Sequence, residues 1–286
     1  MSKPALPVAP VEKNGRFVFA SGDVVLEIDP QAGGRVTVFA LAGQNLLTGP
    51  EIDPNNYGST FWTSPQSDWG WPPVAEIDHL PYAALVENGA LVLTGNASQR
   101  LGIAVTKIFT FDPGSRSAAI EYIVHNRGSA PRLLAPWEVT RVPPNGLTFF
   151  PTGQAEYKYA AVPLRTQHAA GMTWFHYDAG AIAADSKFFA DGSRGLLFHV
   201  AGGVIFVKRF PDLPDGSHAP GEGEIEIYAN AAHTYVEIEN QGAYRALAAG
   251  ESMSYRVEWF LRKLPVGVEA RVGNHALIEF VESLVR

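Results

Sequence analysis

Cysteine is absent from this chain of 286 residues, so neither disulfide bonds nor thiolate metal ligands can stabilise its fold. Apolar runs are short, and none approaches the roughly 20 residues that a membrane-spanning helix needs. The N-terminal segment is interrupted by prolines and lacks the apolar stretch of a signal peptide. The lack of a signal peptide makes a cytoplasmic location the default expectation, and the short apolar runs predict no membrane segment. The absence of cysteine does not indicate the redox compartment.

Basic runs and nucleotide-binding motifs are also missing. The net charge is -7, which argues against a surface that binds nucleic-acid phosphates. The sequence has no phosphate-binding loop, dinucleotide fingerprint or Gly-x-Ser-x-Gly nucleophile motif. Its eight histidines show no metal-ligand spacing. We therefore expect no nucleic-acid partner, no cofactor and no resident metal.

Helical periodicity is confined to residues 266–286, which predict one helix docked on a sheet. Elsewhere short segments alternate apolar and polar residues between turn signals, and the best hairpin surrounds Asp112-Pro-Gly-Ser115. Closely spaced strands with almost no helix exclude a βαβ fold and predict an all-β protein, a large antiparallel β-sandwich or barrel. We expect a flexible lead-in over residues 1–14 and a single domain over 15–286. The predicted strands are 17–20, 24–29, 35–41, 45–47, 102–112, 116–126, 132–141, 147–150, 195–200, 204–210, 224–230, 234–240 and 252–261.

The predicted strand over 234–240 carries acidic and amide side chains at every second position. Because side chains alternate between the faces of a strand, Glu237, Glu239 and Gln241 share one face, with neighbours roughly 7 Å apart. Such a row suits a small ligand with many hydroxyl groups. The alternative is a half-solvated strand whose polar residues face water.

Two more glutamates precede this strand in a predicted hairpin. A four-residue loop would place Glu226 beside Glu237 and Glu224 beside Glu239, and like charges across a ladder repel. Either the face is solvated, or the register is offset, or cations compensate. Crowded carboxylates would also raise one pKa and leave a neutral acid beside an ionised base. The candidate cations are Lys208, Arg209 and Arg245.

Tryptophans cluster in a proline-rich stretch that is not expected to form regular structure. Trp62, Trp69 and Trp71 could present flat apolar faces to the C–H edges of a sugar, while an indole N–H binds a hydroxyl. Asp68 is the residue there best suited to bind hydroxyl groups. The alternative is that the tryptophans cap the sandwich.

The order of several motifs resembles the galactose mutarotase-like (aldose 1-epimerase-like) superfamily. Together the motifs span roughly residues 20–262. The resemblance implies a large antiparallel β-sandwich that holds a sugar on its concave face. The motifs are 32–38 (AGGRVTV), 57–66 (YGSTFWTSPQ), 69–73 (WGWPP), 134–140 (LAPWEVT), 207–210 (VKRF), 226–228 (EIY), 235–241 (YVEIENQ) and 247–251 (LAAGE).

The resemblance also implies catalytic roles. In the superfamily a glutamate in a Glu-x-Gln context takes the proton from the anomeric hydroxyl, and a histidine donates to the ring oxygen. Glu239 matches the glutamate, with Glu237 as the alternative if the register differs by two. The histidines are not matched, and Glu138, which follows Trp137, is the candidate replacement acid. As strand neighbours, Trp137 and Glu138 face opposite ways, so only one can point into the site.

Three further residues complete the set of candidates. Lys208 either binds a carboxylate or phosphate of a sugar, together with Arg209, or buries its stem and extends its charge to water. His79 follows Asp78 and is a candidate proton carrier if a carboxylate orients it.

The sequence thus predicts a carbohydrate-active protein of mutarotase-like fold that performs epimerase- or isomerase-type acid/base chemistry on a small carbohydrate or related polyol. One alternative is a non-catalytic carbohydrate-binding or regulatory module. Another is a polysaccharide lyase or hydrolase. The candidate substrate-binding residues are Trp62, Asp68, His79, Trp69, Trp71, Trp137, Lys208, Arg209 and Gln241.

Overall fold

Strands dominate the structure, a computed structural model that describes residues 8–285. The helices are α1 (Ala75–Asp78) and α2 (His275–Leu284), with 3-10 turns at Pro30–Ala32, Gln66–Asp68 and Ala179–Ala181. The strands are β1 (Val11–Lys13), β2 (Arg16–Ser21), β3 (Val24–Asp29), β4 (Arg35–Leu41), β5 (Gln44–Asn45), β6 (Ser59–Ser64), β7 (Ala83–Glu87), β8 (Ala90–Thr94), β9 (Ile103–Asp112), β10 (Ser117–Asn126), β11 (Arg132–Val142), β12 (Leu147–Tyr157), β13 (Val162–Pro163), β14 (Gln167–Ala169), β15 (Met172–His176), β16 (Ser186–Gly192), β17 (Leu196–Ala201), β18 (Val204–Arg209), β19 (Ile225–Ala229), β20 (Val236–Gln241), β21 (Arg245–Leu247) and β22 (Ser252–Lys263).

Two mostly antiparallel sheets form the predicted sandwich. The site sheet has the neighbour order β1-β2-β3-β4-β6-β11-β20-β19-β16. The back sheet has the order β7-β8-β9-β10-β22-β18-β17-β12-β15-β14. Strand β12 joins the two, because its first half pairs with β15 and β17 and its second half with β16. The all-β prediction is confirmed.

The hairpin β9–β10 is the longest regular pairing and forms as predicted. Asp112 fixes its turn, since the carboxylate accepts the backbone N–H groups of Gly114 and Ser115. Alternate residues of both strands, such as Phe109 and Ile120, are fully buried in the core between the sheets. The hairpin thereby anchors the middle of the back sheet.

The C-terminal helix is shorter than predicted and covers the outer side of the back sheet. It begins after Asn274, whose side chain accepts the N–H of Ala276, and buries Leu277 and Val281 against a cluster that includes Phe149 and Phe198. Residues 266–274 are not helical because Gly267 and Gly273 adopt left-handed backbone conformations there. Neither helix in residues 8–285 is long and apolar enough to cross a bilayer.

Several strands escaped the sequence patterns, and two of them build the site. β6 forms where the proline-rich stretch predicted irregular structure, because the prolines begin only at Pro65, after its last residue. β16 lies in a segment without a clear period-two pattern. The predicted lead-in also needs qualification: residues 1–7 lie outside the described residues, while Val11–Lys13 forms β1 and pairs with β2.

The hairpin of β19 and β20 has a different register from the one that a four-residue loop predicts. Its connection spans residues 230–235, so Glu226 lies opposite Glu239, and Tyr228 lies opposite Glu237. The offset register separates Glu237 from Glu226 but leaves Glu226 opposite Glu239, so a cation is still needed there, as described below.

Candidate functional site

One face of the site sheet gathers most of the candidate residues. The register of β20 against β11 and β19 places Glu237, Glu239 and Gln241 on a common face, as the alternation predicts. Neighbouring strands add aromatic and cationic side chains to this face. These are Trp62 of β6, Trp137 and Arg141 of β11, Glu226 and Tyr228 of β19, and Lys187 and Phe189 of β16.

A cavity of about 460 Å³ opens on this face, a size typical of small-molecule sites. We call it the tryptophan cavity. It joins the acidic strand to the tryptophan-rich segment, because Glu237 and Trp71 both line it. The lining residues are Asn56, Trp62, Gln66, Trp71, Trp137, Asp185, Lys187, Tyr228, Tyr235 and Glu237.

Three indole rings form one wall of the tryptophan cavity. Trp62 meets Trp71 and Trp137 edge to face, with ring centroids 6.2 and 5.3 Å apart. Trp71 is 61% exposed, which places an apolar ring at the mouth of the cavity. Trp69 does not line the cavity: it is buried behind the others and donates its indole N–H to the carbonyl of Thr63. Trp71 is therefore the ring most open to a ligand, while Trp62 and Trp137, which also line the cavity, are 5% and 1% exposed.

Buried carboxylates hold two of these rings in place. The indole N–H of Trp62 donates to Asp78 at 2.8 Å, and that of Trp137 donates to Glu239 at 2.8 Å. Asp78 also binds Arg35 at 3.2 Å. Burial alone would raise the pKa of Asp78, but the charge of Arg35 and the hydrogen bond from Trp62 lower it overall. Asp78 thus stays ionised and orients Trp62.

Glu237 is the glutamate that reaches the cavity. Its Oε1 accepts a hydrogen bond from Nε of Arg141 at 2.8 Å. Burial raises the pKa of Glu237 to about 7, with Arg141 opposing the rise and the charge of Glu239 adding to it. Near neutral pH this carboxyl can therefore exist in either protonation state, which proton transfer requires.

Arg141 lies behind the cavity wall, between Trp62 and Tyr235, with its guanidinium carbon 5.1 and 6.0 Å from the two ring centroids. It is fully buried. Its Nη1 and Nη2 have no hydrogen-bond partner within residues 8–285. Its charge faces Glu237 and limits how far the pKa of that carboxyl rises.

Lys187 is the cation that compensates the crowded glutamates. Its Nζ lies 2.5 Å from Oε2 of Glu226 and 3.2 Å from Oε2 of Glu239. It also lies over the ring of Trp137 at 4.9 Å. Burial alone would lower the pKa of Lys187, but the charges of Glu226 and Glu239 raise it overall. Lys187 therefore stays protonated and presents N–H donors to the cavity.

Two predicted site residues lie directly beneath the cavity floor. Glu239 is fully buried and receives the N–H of Trp137 and a hydrogen bond from Lys187. Gln241 is also fully buried and donates to Glu226 at 2.7 Å. Of the two candidate bases, Glu237 lines the cavity, whereas Glu239 positions Lys187 and Trp137.

The proposed replacement acid needs correction. Glu138 faces the interior between the sheets, on the opposite side of β11 from Trp137. It binds Nζ of Lys208 at 2.9 Å and accepts hydrogen bonds from Tyr122 and Trp259. Both members of this pair are fully buried, so neither Glu138 nor Lys208 can reach a ligand in the cavity.

Three further predicted binding residues also lie elsewhere. Arg209 belongs to the back sheet and pairs with Glu258 on its outer surface. Asp68 is exposed but does not line the cavity. His79 is exposed, with Nδ1 3.6 Å from Asp78 Oδ2, and does not line the cavity either. The distance to Asp78 is longer than a hydrogen bond, so the orienting carboxylate that the role of proton carrier required is not in place.

Sequence reasoning missed several residues that line the cavity or support it. Lys187 and Asp185 belong to a segment that carried no strand signal. Arg141 lies in a predicted strand, four residues after Trp137. Alternation therefore places it on the same face as Trp137, and this signal could have identified it as a site residue. Tyr228 and Tyr235 lie within the predicted hairpin, one in each of its two predicted strands.

Within the described part of the chain, no group of three or more histidine, aspartate or glutamate side chains could hold a metal ion. The negative charges of Glu226 and Glu239 are compensated by Lys187.

Comparison with known proteins supports the fold. A family described as Domain of unknown function (DUF4380) matches residues 15–262. The comparison with curated proteins found no match.

Solved structures of sugar epimerase type share the architecture. A putative aldose 1-epimerase from Escherichia coli K12 has a TM-score of 0.56 and 13% identity, over 87% of this chain and 99% of that one. A galactose mutarotase-like protein from Lactobacillus casei has a TM-score of 0.60 and 11% identity, over 87% of this chain and 100% of that one. The predicted galactose mutarotase-like sandwich is thereby confirmed as the fold.

A third similar structure is a TPR-domain containing protein from Parabacteroides distasonis, with a TM-score of 0.61 and 14% identity. The match covers 90% of this chain and 49% of that protein, so the chain spans about half of its length.

Proposed function

We propose that this chain, which belongs to the DUF4380 family, binds a carbohydrate in the tryptophan cavity and transfers protons to and from it, with Glu237 as the base. The observation that carries this proposal is the position of Glu237. A carboxyl group whose pKa is raised to about 7 lines the same cavity as the indole rings of Trp62, Trp71 and Trp137. A base is most effective when its pKa lies near the working pH. Indole faces suit the apolar C–H edges of a sugar ring.

The geometry suits a ring held between a base and a hydrogen-bond donor. Glu237 pairs with Tyr228, and Tyr228 pairs with Lys187, so the base and the lysine are two strands apart. At about 4.8 Å between strands, their backbones are about 10 Å apart. The side chain of Tyr228 lies between them on the same face, so in the proposed complex the pyranose ring lies over Tyr228, with its hydroxyls toward Asn56, Gln66 and Asp185, which also line the cavity.

The reaction that uses these groups is interconversion of sugar anomers. Glu237 takes the proton of the anomeric hydroxyl, and the bond between the anomeric carbon and the ring oxygen breaks. Lys187 gives a proton to that oxygen, which as an alkoxide is basic enough to take it although the pKa of Lys187 is raised. The aldehyde group then rotates, and the freed hydroxyl attacks its opposite face to close the ring. In this step Lys187 regains its proton, and Glu237 returns its proton to the anomeric oxygen. The resemblance to the mutarotase-like superfamily implies a histidine as the donor to the ring oxygen. In this chain Lys187 takes the place of that histidine.

A second candidate is a carbohydrate-binding module without catalysis. It is favoured by the lining of the cavity, because no histidine of residues 8–285 lines it and Lys187 is already paired with two carboxylates. In that case the sugar binds to the indole rings and Glu237 only accepts a hydrogen bond.

Two NMR measurements on the wild-type protein distinguish these candidates. Saturation-transfer difference spectra with glucose, galactose, mannose, xylose and arabinose test binding. Exchange spectroscopy on the anomers of each sugar tests catalysis. Accelerated exchange supports the enzyme, binding without acceleration supports the module, and absence of binding to every sugar contradicts both.

The pH dependence of the exchange rate provides a prediction about Glu237. Because the carboxylate is the active form and its pKa is raised to about 7, the rate should rise with pH between about 6 and 8 and level off above. At pH 5 the group is protonated and the enzyme should be nearly inactive. The rate should be measured by exchange spectroscopy from pH 5 to pH 9. A rate that is constant from pH 5 to pH 8 would show that a carboxyl with an ordinary pKa, or none, acts as the base.

A further inference from the structure

A second cavity, of about 370 Å³, lies beside the first and shares Lys187 with it. We call it the tyrosine cavity. Aromatic and apolar side chains make up its walls, and its opening carries Glu156, Lys158 and Thr166. The wall residues used in the argument are Tyr157, Tyr159, Leu164 and Phe189.

The topology explains why the two cavities are adjacent. Lys187 pairs with Tyr228 of β19 on one side of β16 and with Pro163 of β13 on the other. Its Nζ lies over the ring of Trp137 at 4.9 Å and over the ring of Phe189 at 5.3 Å. The side chain of Lys187 is therefore the wall that the two cavities share.

The aromatic rings of the tyrosine cavity are held in fixed orientations. The hydroxyl of Tyr159 donates to the carbonyl of Glu222 at 3.1 Å, and the hydroxyl of Tyr157 donates to Asp215 at 2.7 Å. The rings of Tyr159 and Phe189 meet at nearly a right angle, with centroids 5.0 Å apart. Because its hydroxyl is bound outside the cavity, Tyr159 offers its ring to a ligand, whereas the ring of Tyr157 packs on the rings of Tyr159 and His218, with centroids 6.2 and 4.1 Å apart.

We infer that the tyrosine cavity binds the second ring of a disaccharide whose reducing ring occupies the tryptophan cavity. This inference rests on the proposed function. Fixed aromatic faces combined with charged and hydroxyl groups at the opening match the alternating C–H and O–H edges of a pyranose. Glu156 already pairs with His168 at 2.7 Å, so Lys158 and Thr166 are the groups at the opening that can bind sugar hydroxyls. A purely apolar substituent, which cannot use them, is the competing occupant.

Isothermal titration should compare maltose, cellobiose, lactose, mannobiose, galactobiose and xylobiose with glucose, mannose, galactose and xylose. At least one disaccharide should bind about tenfold or more tightly than its reducing-end monosaccharide. Glucose with a benzyl group on O4, the oxygen that carries the second ring in maltose and cellobiose, serves as the apolar probe. The inference is overturned if no disaccharide gains affinity over its monosaccharide, or if only the benzyl derivative does.

Variants localise the gain to the tyrosine cavity. Tyr159→Ala should remove the disaccharide advantage and leave the monosaccharide affinity unchanged, whereas Tyr159→Phe, which keeps the ring, should retain most of it. Ala161→Trp offers a second route if Tyr159→Ala does not fold, because Ala161 is exposed at the cavity and an indole there would fill the space. A disaccharide advantage that survives both Tyr159→Ala and Ala161→Trp would contradict the inference.

The same titrations separate this inference from the proposed function. If monosaccharides bind and disaccharides bind no better, only the disaccharide subsite is wrong. If no sugar of either size binds, the tryptophan cavity is not a carbohydrate site, and both proposals fail.

Discussion

Replacing Glu237 by glutamine is expected to slow anomer exchange by about 10²- to 10⁴-fold, the usual contribution of a positioned general base. Glutamine keeps the size of the side chain and can still bind Arg141 through its carbonyl oxygen, but it cannot accept the proton of the anomeric hydroxyl. Sugar affinity should change much less than the rate. Exchange spectroscopy gives the rate, and titration of the same sample gives the affinity.

The matched control for this substitution is Glu269→Gln, at an exposed glutamate whose carboxylate contacts only Arg271. It removes the same charge from the protein and should leave both rate and affinity unchanged. If Glu237→Gln exchanges anomers as fast as the wild type, Glu237 is not the base. Glu239, buried beneath Lys187, would then be the next residue to substitute.

Replacing Lys187 by methionine is expected to lower the free energy of unfolding by about 3 kcal/mol at pH 7.5, the lower end of the cost of removing one partner from a buried ion pair. The lysine side chain is only 15% exposed, and both of its glutamate partners are fully buried. Without it, two carboxylates face each other across the β19–β20 ladder at Glu226 and Glu239. Denaturant titration measures the loss.

The pH dependence of this loss follows from the titration of the glutamates. Burial already raises the pKa of Glu226 well above its ordinary value, and loss of the Lys187 charge raises it further. The folded variant therefore binds protons more tightly than the unfolded chain, so its stability relative to wild type should recover as the pH falls from 7.5 toward 5. Lys13→Met, at an exposed lysine, is the control and should show neither the loss nor the recovery. A deficit for Lys187→Met that stays constant with pH would mean that lost packing, rather than buried charge, causes it.

The sandwich was predictable from the sequence because its strands obey local rules. β3 and β4 have the predicted bounds, and the β9–β10 hairpin forms around its Asp-Pro-Gly turn. Both predictions depend only on period-two alternation and on turn residues, which are local features of the sequence. The common face of Glu237, Glu239 and Gln241 follows from the same alternation. A single domain over 15–286 and a cytoplasmic location stay predictions.

The partners of the acidic residues could not be predicted, because they depend on pairing between distant segments. Lys187 reaches Glu226 and Glu239 only through the neighbour order β16-β19-β20, which no local pattern encodes. Alternation showed that Trp137 and Glu138 face opposite ways, but not which of them faces the core. The structure places Glu138 there with Lys208, and that pair explains why two charged residues lie in strands that otherwise look apolar.

The indole N–H resonances of the tryptophans test the central claim, that a sugar binds in the tryptophan cavity, most directly. In a ¹⁵N-labelled sample titrated with the sugars and disaccharides named above, the signals of Trp62, Trp71 and Trp137 should shift together with one dissociation constant. The signal of Trp174, which donates to the carbonyl of Ala169 at the back sheet, should not move. If every probe leaves the three cavity signals unmoved, or shifts Trp174 alone, the tryptophan cavity does not bind carbohydrate.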